Sequence, residues 1–257
     1  MRRFSRLPLP QVLQGVLLAS LGLFLLFQIW RGTLYWYINP RFTFLMVGAA
    51  LVFLVLAGSI LILARHEGEA GPTSEPVNDH DDGSGSGLRR RVLLAMAVPL
   101  ALGILVPAKP LGASAVATRG LAGGGPGTAR LAGQPQSIPI AAATRTVLDW
   151  VRAFNYAPDP DVYVGQEADV IGFVYHDSRL QPGQFLVARF TITCCVADAF
   201  AIGMVVDWPE AEGLEANSWV RVRGPVAVSV WEADRIPRIE AVSVDPADEP
   251  VQPYLTP

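Results

Sequence analysis

Three windows without a charged residue limit what this chain can become. Between Arg6 and Arg31 lie 24 uncharged residues, between Arg41 and Arg65 lie 23, and between Arg91 and Lys109 lie 17. A helix rises about 1.5 Å per residue, so crossing roughly 30 Å of hydrocarbon takes about 20 residues. The first two windows predict membrane-spanning helices within residues 1–64. The third, residues 92–108, is at the short limit and contains Pro99. It is read as a third span, because Pro is tolerated where neighbouring helices supply partners; a re-entrant or interfacial segment is the alternative. The first window has the basic start of a signal peptide. However, it runs into Trp30, Tyr35, Trp36 and Tyr37, an interfacial aromatic cluster with no small-residue cleavage site.

Charge divides the chain at about the same place. Residues 1–130 hold 12 basic and 6 acidic side chains, and residues 131–257 hold 8 and 17, together giving the net charge of −3. Basic residues at the N-terminus and in the Arg89-Arg90-Arg91 triplet place both in the cytoplasm by the positive-inside rule. Three spans then put everything after Lys109 outside. The segment 65–91 lacks an apolar period and reads as a flexible acidic cytoplasmic linker. It carries His66, His80, Asp79, Asp81 and Asp82, a loose cation site at most and more simply a solvated tether. No basic cluster interleaved with aromatics occurs in the second half, which argues against a nucleic-acid partner.

Residues 109–143 are rich in Gly and Ala and read as a linker. From there to residue 257 the pattern is that of one small extracytoplasmic domain. Thr144–Asn155 has helical spacing at Val147, Leu148, Val151 and Phe154, with Thr144 or Thr146 as cap. Five β-rich runs follow: Val162–Tyr175, Phe185–Thr193, Ile202–Trp208, Ser218–Trp231 and Ile236–Val244. Val220 and Val222 alternate with Arg221 and Arg223, the mark of a half-buried strand. Five strands in so short a stretch predict an all-β domain, with an OB-like barrel as the expected architecture.

Cys194 and Cys195 are the only cysteines, which excludes a disulfide-stapled scaffold and a four-cysteine metal knuckle. Neighbouring side chains on a regular strand face opposite ways, so the two sulfurs cooperate only if the strand ends or bulges there. Three readings stand open. Cys194 and Cys195 with Asp198 and His176 form a thiolate–imidazole–carboxylate set for a metal such as zinc. Alternatively the pair closes into a strained, reducible vicinal disulfide, or the cysteines are small core residues. No nucleophile elbow, phosphate loop or His-Glu-x-x-His occurs, and no reaction is assigned.

The strings Gly172-Phe173-Val174-Tyr175, Arg189 through Ala199 with its Ile192-Thr193-Cys194-Cys195-Val196-Ala197-Asp198-Ala199 core, and Trp219 through Gly224 resemble the YcgQ-like family of bacterial permease subunits. Pro107 through Gly112 and Glu249 through Tyr254 extend the resemblance along nearly the whole chain. The chain departs from the family at Phe200-Ala201, where a Pro is common. The resemblance implies an integral membrane protein working with a separate multi-span permease, in some bacteria tied to zinc regulation. It places the signature on Cys194, Cys195, Asp198 and Gly203. The expectation is an accessory permease subunit whose vicinal cysteines bind or sense a metal or thiol-reactive ligand. The alternatives are a membrane-anchored thiol/disulfide protein and an envelope glycan-binding module.

Overall fold

The computed structural model describes residues 9–69, 84–122, 125–127 and 141–256. His80 and its neighbours Asp79, Asp81 and Asp82 lie outside them. The described chain divides into two compact units. One takes the residues up to Tyr35 together with Pro40–Lys109; the other takes Trp36–Asn39 and the residues from Pro110 onward.

The first unit is helical. Helix α1 (Leu9–Arg31) ends where Gly32 turns to a φ of 75°, a conformation that costs only glycine nothing. Helix α2 (Thr43–Glu69) follows a short turn at Pro40–Phe42. Both are long and apolar enough to cross a membrane. They pack through small residues. Ala50, Ala57 and Ala64 recur every seventh position and are buried. Opposite them, a Cβ added at Gly15 would lie 2.9 Å from Leu61, and one at Gly22 would lie 3.0 Å from the Ala50 carbonyl. Close backbone approach through small residues is how helices associate where the surroundings are as apolar as the side chains.

Helix α3 (Ser84–Leu105) continues through Pro99. Its apolar stretch, Arg91–Leu105, is shorter than the other two, about 22 Å at 1.5 Å per residue. The helix stops at Leu105, ahead of Pro107 and Pro110, so the expected 92–108 span is not met by helix alone.

The second unit carries a mixed seven-stranded sheet: β1 (Glu167–Tyr175), β2 (Gln184–Thr191), β3 (Phe200–Asp207), β4 (Trp219–Trp231), β5 (Asp234–Glu240), β6 (Ser243–Pro246) and β7 (Tyr254–Leu255). Pairing runs β1-β2-β3-β5-β4, and β4 also pairs with β1. The β3–β5 and β2–β7 pairs are parallel; the others are antiparallel. The five expected runs are thus found as strands. The last is split into β5 and β6, and the first is strand only from Glu167, its expected start at Val162 falling in a 3-10 turn at Pro160–Tyr163. Gly172 lets β1 and β2 approach closely, since a Cβ there would sit 2.6 Å from the Ala188 carbonyl.

Helix α5 (Val147–Tyr156) has Thr146 as its cap, in a reciprocal box with Asp149. It presses Trp150, Val151 and Phe154 into the main core with Phe185, Met204 and Ile239. The segment expected as a linker contains α4 (Ala113–Arg119), whose Val116 is buried among Phe173, Phe190, Ile192 and Tyr254. This smaller core lies under the end of β2 that leads to the cysteines.

Candidate functional site: the turn after β2

Strand β2 stops at Thr191, ahead of the cysteine pair. Ile192 is wholly buried and its N–H donates to the Leu255 carbonyl at 3.0 Å, anchoring the base of the turn. Beyond it the chain leaves the sheet and closes in a 3-10 turn, Val196–Asp198. Asp198 organises this turn. Its Oδ1 accepts from the Thr193 N–H at 3.0 Å and its Oδ2 from the Cys194 N–H at 2.8 Å. The condition for the sulfurs to cooperate is met, because the strand ends before them. Cys194 is exposed, Cys195 is half-buried, both are free thiols, and their Sγ atoms are 3.7 Å apart.

Electrostatics distinguishes the two groups. Asp198, next to Cys194 and bonded to it, pushes the Cys194 thiol up to about 11, and Cys195 adds to the shift. Partial burial works against the ionised Asp198 carboxyl. The Cys194 thiol and the backbone N–H groups of Cys194, Thr193 and Cys195 outweigh it and hold that carboxyl below its ordinary value. A thiol titrating near 11 is almost wholly protonated at neutral pH and is a weak nucleophile. A soft ion that binds it displaces the proton.

The turn is held from two remote places. Arg119, at the end of α4, donates through Nη1 to the Val196 carbonyl at 2.9 Å and the Ala199 carbonyl at 3.3 Å. On the other flank stands the connector Trp36–Asn39. Ile38 pairs with Cys195 in an antiparallel bridge. The Asn39 N–H donates to the Cys194 carbonyl at 3.0 Å, and the Val196 N–H donates to the Tyr37 carbonyl at 2.7 Å. The Asn39 side chain is buried and donates to the Thr193 carbonyl at 2.9 Å. Sequence reasoning places Trp36 and Tyr37 only in an interfacial belt and misses this role. Asn39 and Thr193 are 154 positions apart, and no local pattern signals such a pairing.

Arg189 secures the adjoining strand. It is buried, donates to the Pro253, Gln252 and Ile171 carbonyls at 2.9, 3.0 and 3.2 Å, and lies 5.1 Å over the Trp219 ring. Burial lowers its guanidinium to about 10, which leaves it charged at neutral pH. It ties the C-terminal segment to β2 and does not reach the cysteines in these contacts.

Cys194, Cys195 and Asp198 are brought together; His176 is not among them. It follows Tyr175, which pairs with Leu186 near the start of β2, and its Nε2 is 2.9 Å from the Leu214 carbonyl. The cysteines follow the other end of that strand. Among the described residues no group of three or more His, Cys, Asp and Glu is arranged to hold a metal ion. A closed four-ligand zinc centre does not fit. Two sulfurs do fit an open position: on a tetrahedral ion with bonds of about 2.3 Å, two sulfurs lie about 3.8 Å apart.

Comparison with known proteins puts the geometry in context. Residues 13–122 match the DUF1980 N-terminal domain and residues 140–257 match the DUF1980 C-terminal domain. The chain is 25% identical over 104 residues to the UPF0703 protein YcgQ of Bacillus subtilis, covering 40% of this chain and 35% of that protein. It is 26% identical over 98 residues to a Streptococcus mutans protein named "Putative two-component membrane permease complex subunit", covering 37% of this chain and 35% of that protein. The matched region thus spans about a third of each relative's length. No solved structure matches the chain. With both DUF1980 domains present in order along most of its length, the chain belongs to the YcgQ-like, DUF1980 family.

Proposed function

We propose that this chain is the membrane-anchored accessory subunit of a permease. Its β unit lies outside the bacterial cytoplasmic membrane and presents Cys194 and Cys195, with Asp198 beside them, to a soft metal ion or another thiol-reactive ligand. Support for the accessory role comes from the permease-subunit name of the Streptococcus mutans relative. Support for the ligand class comes from one observation above the others: two free sulfurs 3.7 Å apart on an exposed turn. Zinc would find only part of its coordination shell here. The remaining positions would fall to water or to the multi-span partner, as suits a site that passes an ion on. Asp198 acts mainly by fixing the turn, with each oxygen already accepting a backbone N–H.

The pairing circuit, with β3 parallel to β5 and β4 returning to β1, supports an OB-like barrel. Connectivity supports the three-span topology. Residues 36–39 join α1 to α2, yet they fold with the β unit. If α1 and α2 each cross the bilayer, the chain has to cross back between the end of α2 and Pro110 to bring the β unit to the connector's side. Helix α3 lies in that interval, with Arg89, Arg90 and Arg91 at its cytoplasmic end. Its short apolar stretch is accommodated by local thinning of the bilayer.

Affinity purification of the full chain from native membranes in mild detergent, with mass spectrometry, tests the accessory role. A near-stoichiometric multi-span protein is expected; its absence across several detergents overturns that role. For the site, titration with Cd2+ is expected to give a thiolate-to-metal absorption band in the full chain and none in the Cys194→Ser, Cys195→Ser double variant. An equal band in both would dismiss the cysteines as ligands.

A further inference from the structure

We infer that the connector Tyr37–Asn39 is the positioning element of the cysteine pair: it holds the two sulfurs at the separation of a shared ligand and opposes their closure into a disulfide. This inference rests on the cysteine site being a ligand site. It goes beyond that reading by giving the link between two membrane helices a role in it.

The peptide that joins Cys194 to Cys195 is held by the connector. Its carbonyl is the acceptor for the Asn39 N–H, and the next N–H along, that of Val196, donates to Tyr37. The residue in between, Cys195, is extended, with φ −156° and ψ 172°, and bridges Ile38. Across this peptide the two sulfurs stand 3.7 Å apart. A disulfide needs about 2.05 Å between them. Consecutive Cα atoms are already closer than the usual disulfide span, so side-chain rotation alone does not close the gap. The Cys194–Cys195 peptide has to twist, and that turns the Cys194 carbonyl away from Asn39. A shared metal ion makes no such demand, since its two sulfurs sit close to the separation already present. The connector therefore favours one fate of the pair over the other. Asn39 adds a second tie through its side chain to the Thr193 carbonyl, buried where water cannot replace it.

The test uses the full chain in detergent. In a glutathione redox buffer the pair exchanges with oxidised glutathione. One sulfur–sulfur bond forms between Cys194 and Cys195, the glutathione disulfide breaks, and the two thiol protons end on the two reduced glutathiones. The Asn39→Ala variant keeps the backbone N–H but removes the side-chain tie to Thr193 that fixes the connector against the turn, and it is expected to shift this equilibrium toward the vicinal disulfide by at most about fivefold, the worth of that one hydrogen bond. The same variant should weaken Cd2+ binding by a comparable factor. Unchanged values for both in a folded variant overturn the inference, while cysteine-dependent Cd2+ binding by the unaltered chain would leave the ligand site standing. Loss of that binding in the unaltered chain would instead remove the site itself. Should Asn39→Ala fail to fold, amide hydrogen exchange on the unaltered chain decides. Protection of Asn39 and Val196 should survive Cd2+ and fall on oxidation. Protection that is equal in both states overturns the inference.

Discussion

In α2 the side chains withdrawn from the surroundings are Ala50, Ala57 and Ala64, while Phe44, Val55 and Leu63 face outward at 62–70% exposure. In the β unit the large groups are inside: Trp150, Phe185 and Met204 are fully buried, and Arg221 and Arg223 stand on the outer face of β4. The same apolar residue types are thus sorted in opposite directions. In water the gain from burying apolar area selects the large side chains for the interior. Between two helices whose surroundings are themselves apolar, that gain is absent and closeness of fit selects the small ones. The contrast supports a lipid environment for α1 and α2 independently of their length.

The comparison breaks most visibly under truncation. Trp150→Ala removes the largest side chain of the main core and is expected to cost the β unit about 3–5 kcal/mol. Val55→Ala on the outward face of α2 should leave the helices within about 0.5 kcal/mol of their starting stability. Denaturant titration of the detergent-solubilised chain, followed by proteolytic protection of the β unit and by helicity, measures both. A Trp150→Ala midpoint equal to that of the unaltered chain would contradict the core assignment. Enlargement should do the reverse. Gly22→Leu forces a side chain against the Ala50 carbonyl and Leu54 and is expected to cost about 1–3 kcal/mol through overpacking. Helicity followed during SDS titration reads this effect. A neutral result would mean that α1 and α2 do not pack along the glycine–alanine seam.

What could be read from the sequence follows from how local each signal is. Charge-free windows and the alternation at Val220 and Val222 are properties of a few consecutive residues, and α1, α2 and β4 appear where those patterns put them. Thr146 and its helix were legible for the same reason. The third window was legible as apolar but not as a length, because Pro107 and Pro110 end regular structure close behind Leu105. The cysteine turn was half legible. Adjacency of Cys194, Cys195 and Asp198 is local, and their grouping follows from it. His176 satisfied the chemistry of a metal set and failed its geometry, since a strand's length separates it from the pair. Asn39 and Arg119 were invisible, because only the folded chain brings the first interhelical link and the end of α4 to the turn. The C-terminal strand β7, clamped through Arg189, is a third long-range feature of this kind.

The smallest effect sharpens the comparison through pH. Asp169 on β1 accepts from both Nε and Nη2 of Arg221 at 2.6 Å. Those hydrogen bonds, against a smaller opposing effect of burial, hold its carboxyl below the ordinary value. Both side chains keep solvent access, at 22% for Asp169 and 43% for Arg221, so water and salt screen the pair and its contribution is small. The sign follows from the lowered value. The contribution is complete above the unfolded carboxyl's pKa of about 3.9. It disappears as pH falls through the lower folded value, because the folded state then takes up its proton later than the unfolded one. Asp169→Asn should therefore lower the urea midpoint of the β unit slightly at pH 7 and leave almost no difference once both carboxyls are protonated. A gap that persists undiminished in acid would mean that Asp169 acts by packing and not by charge. The only acidic residues of α1 and α2 are Glu67 and Glu69 in the last turn of α2, so the helicity of α1 and of α2 up to His66 should not follow this titration, and a parallel loss there would show that the two units do not respond to acid separately.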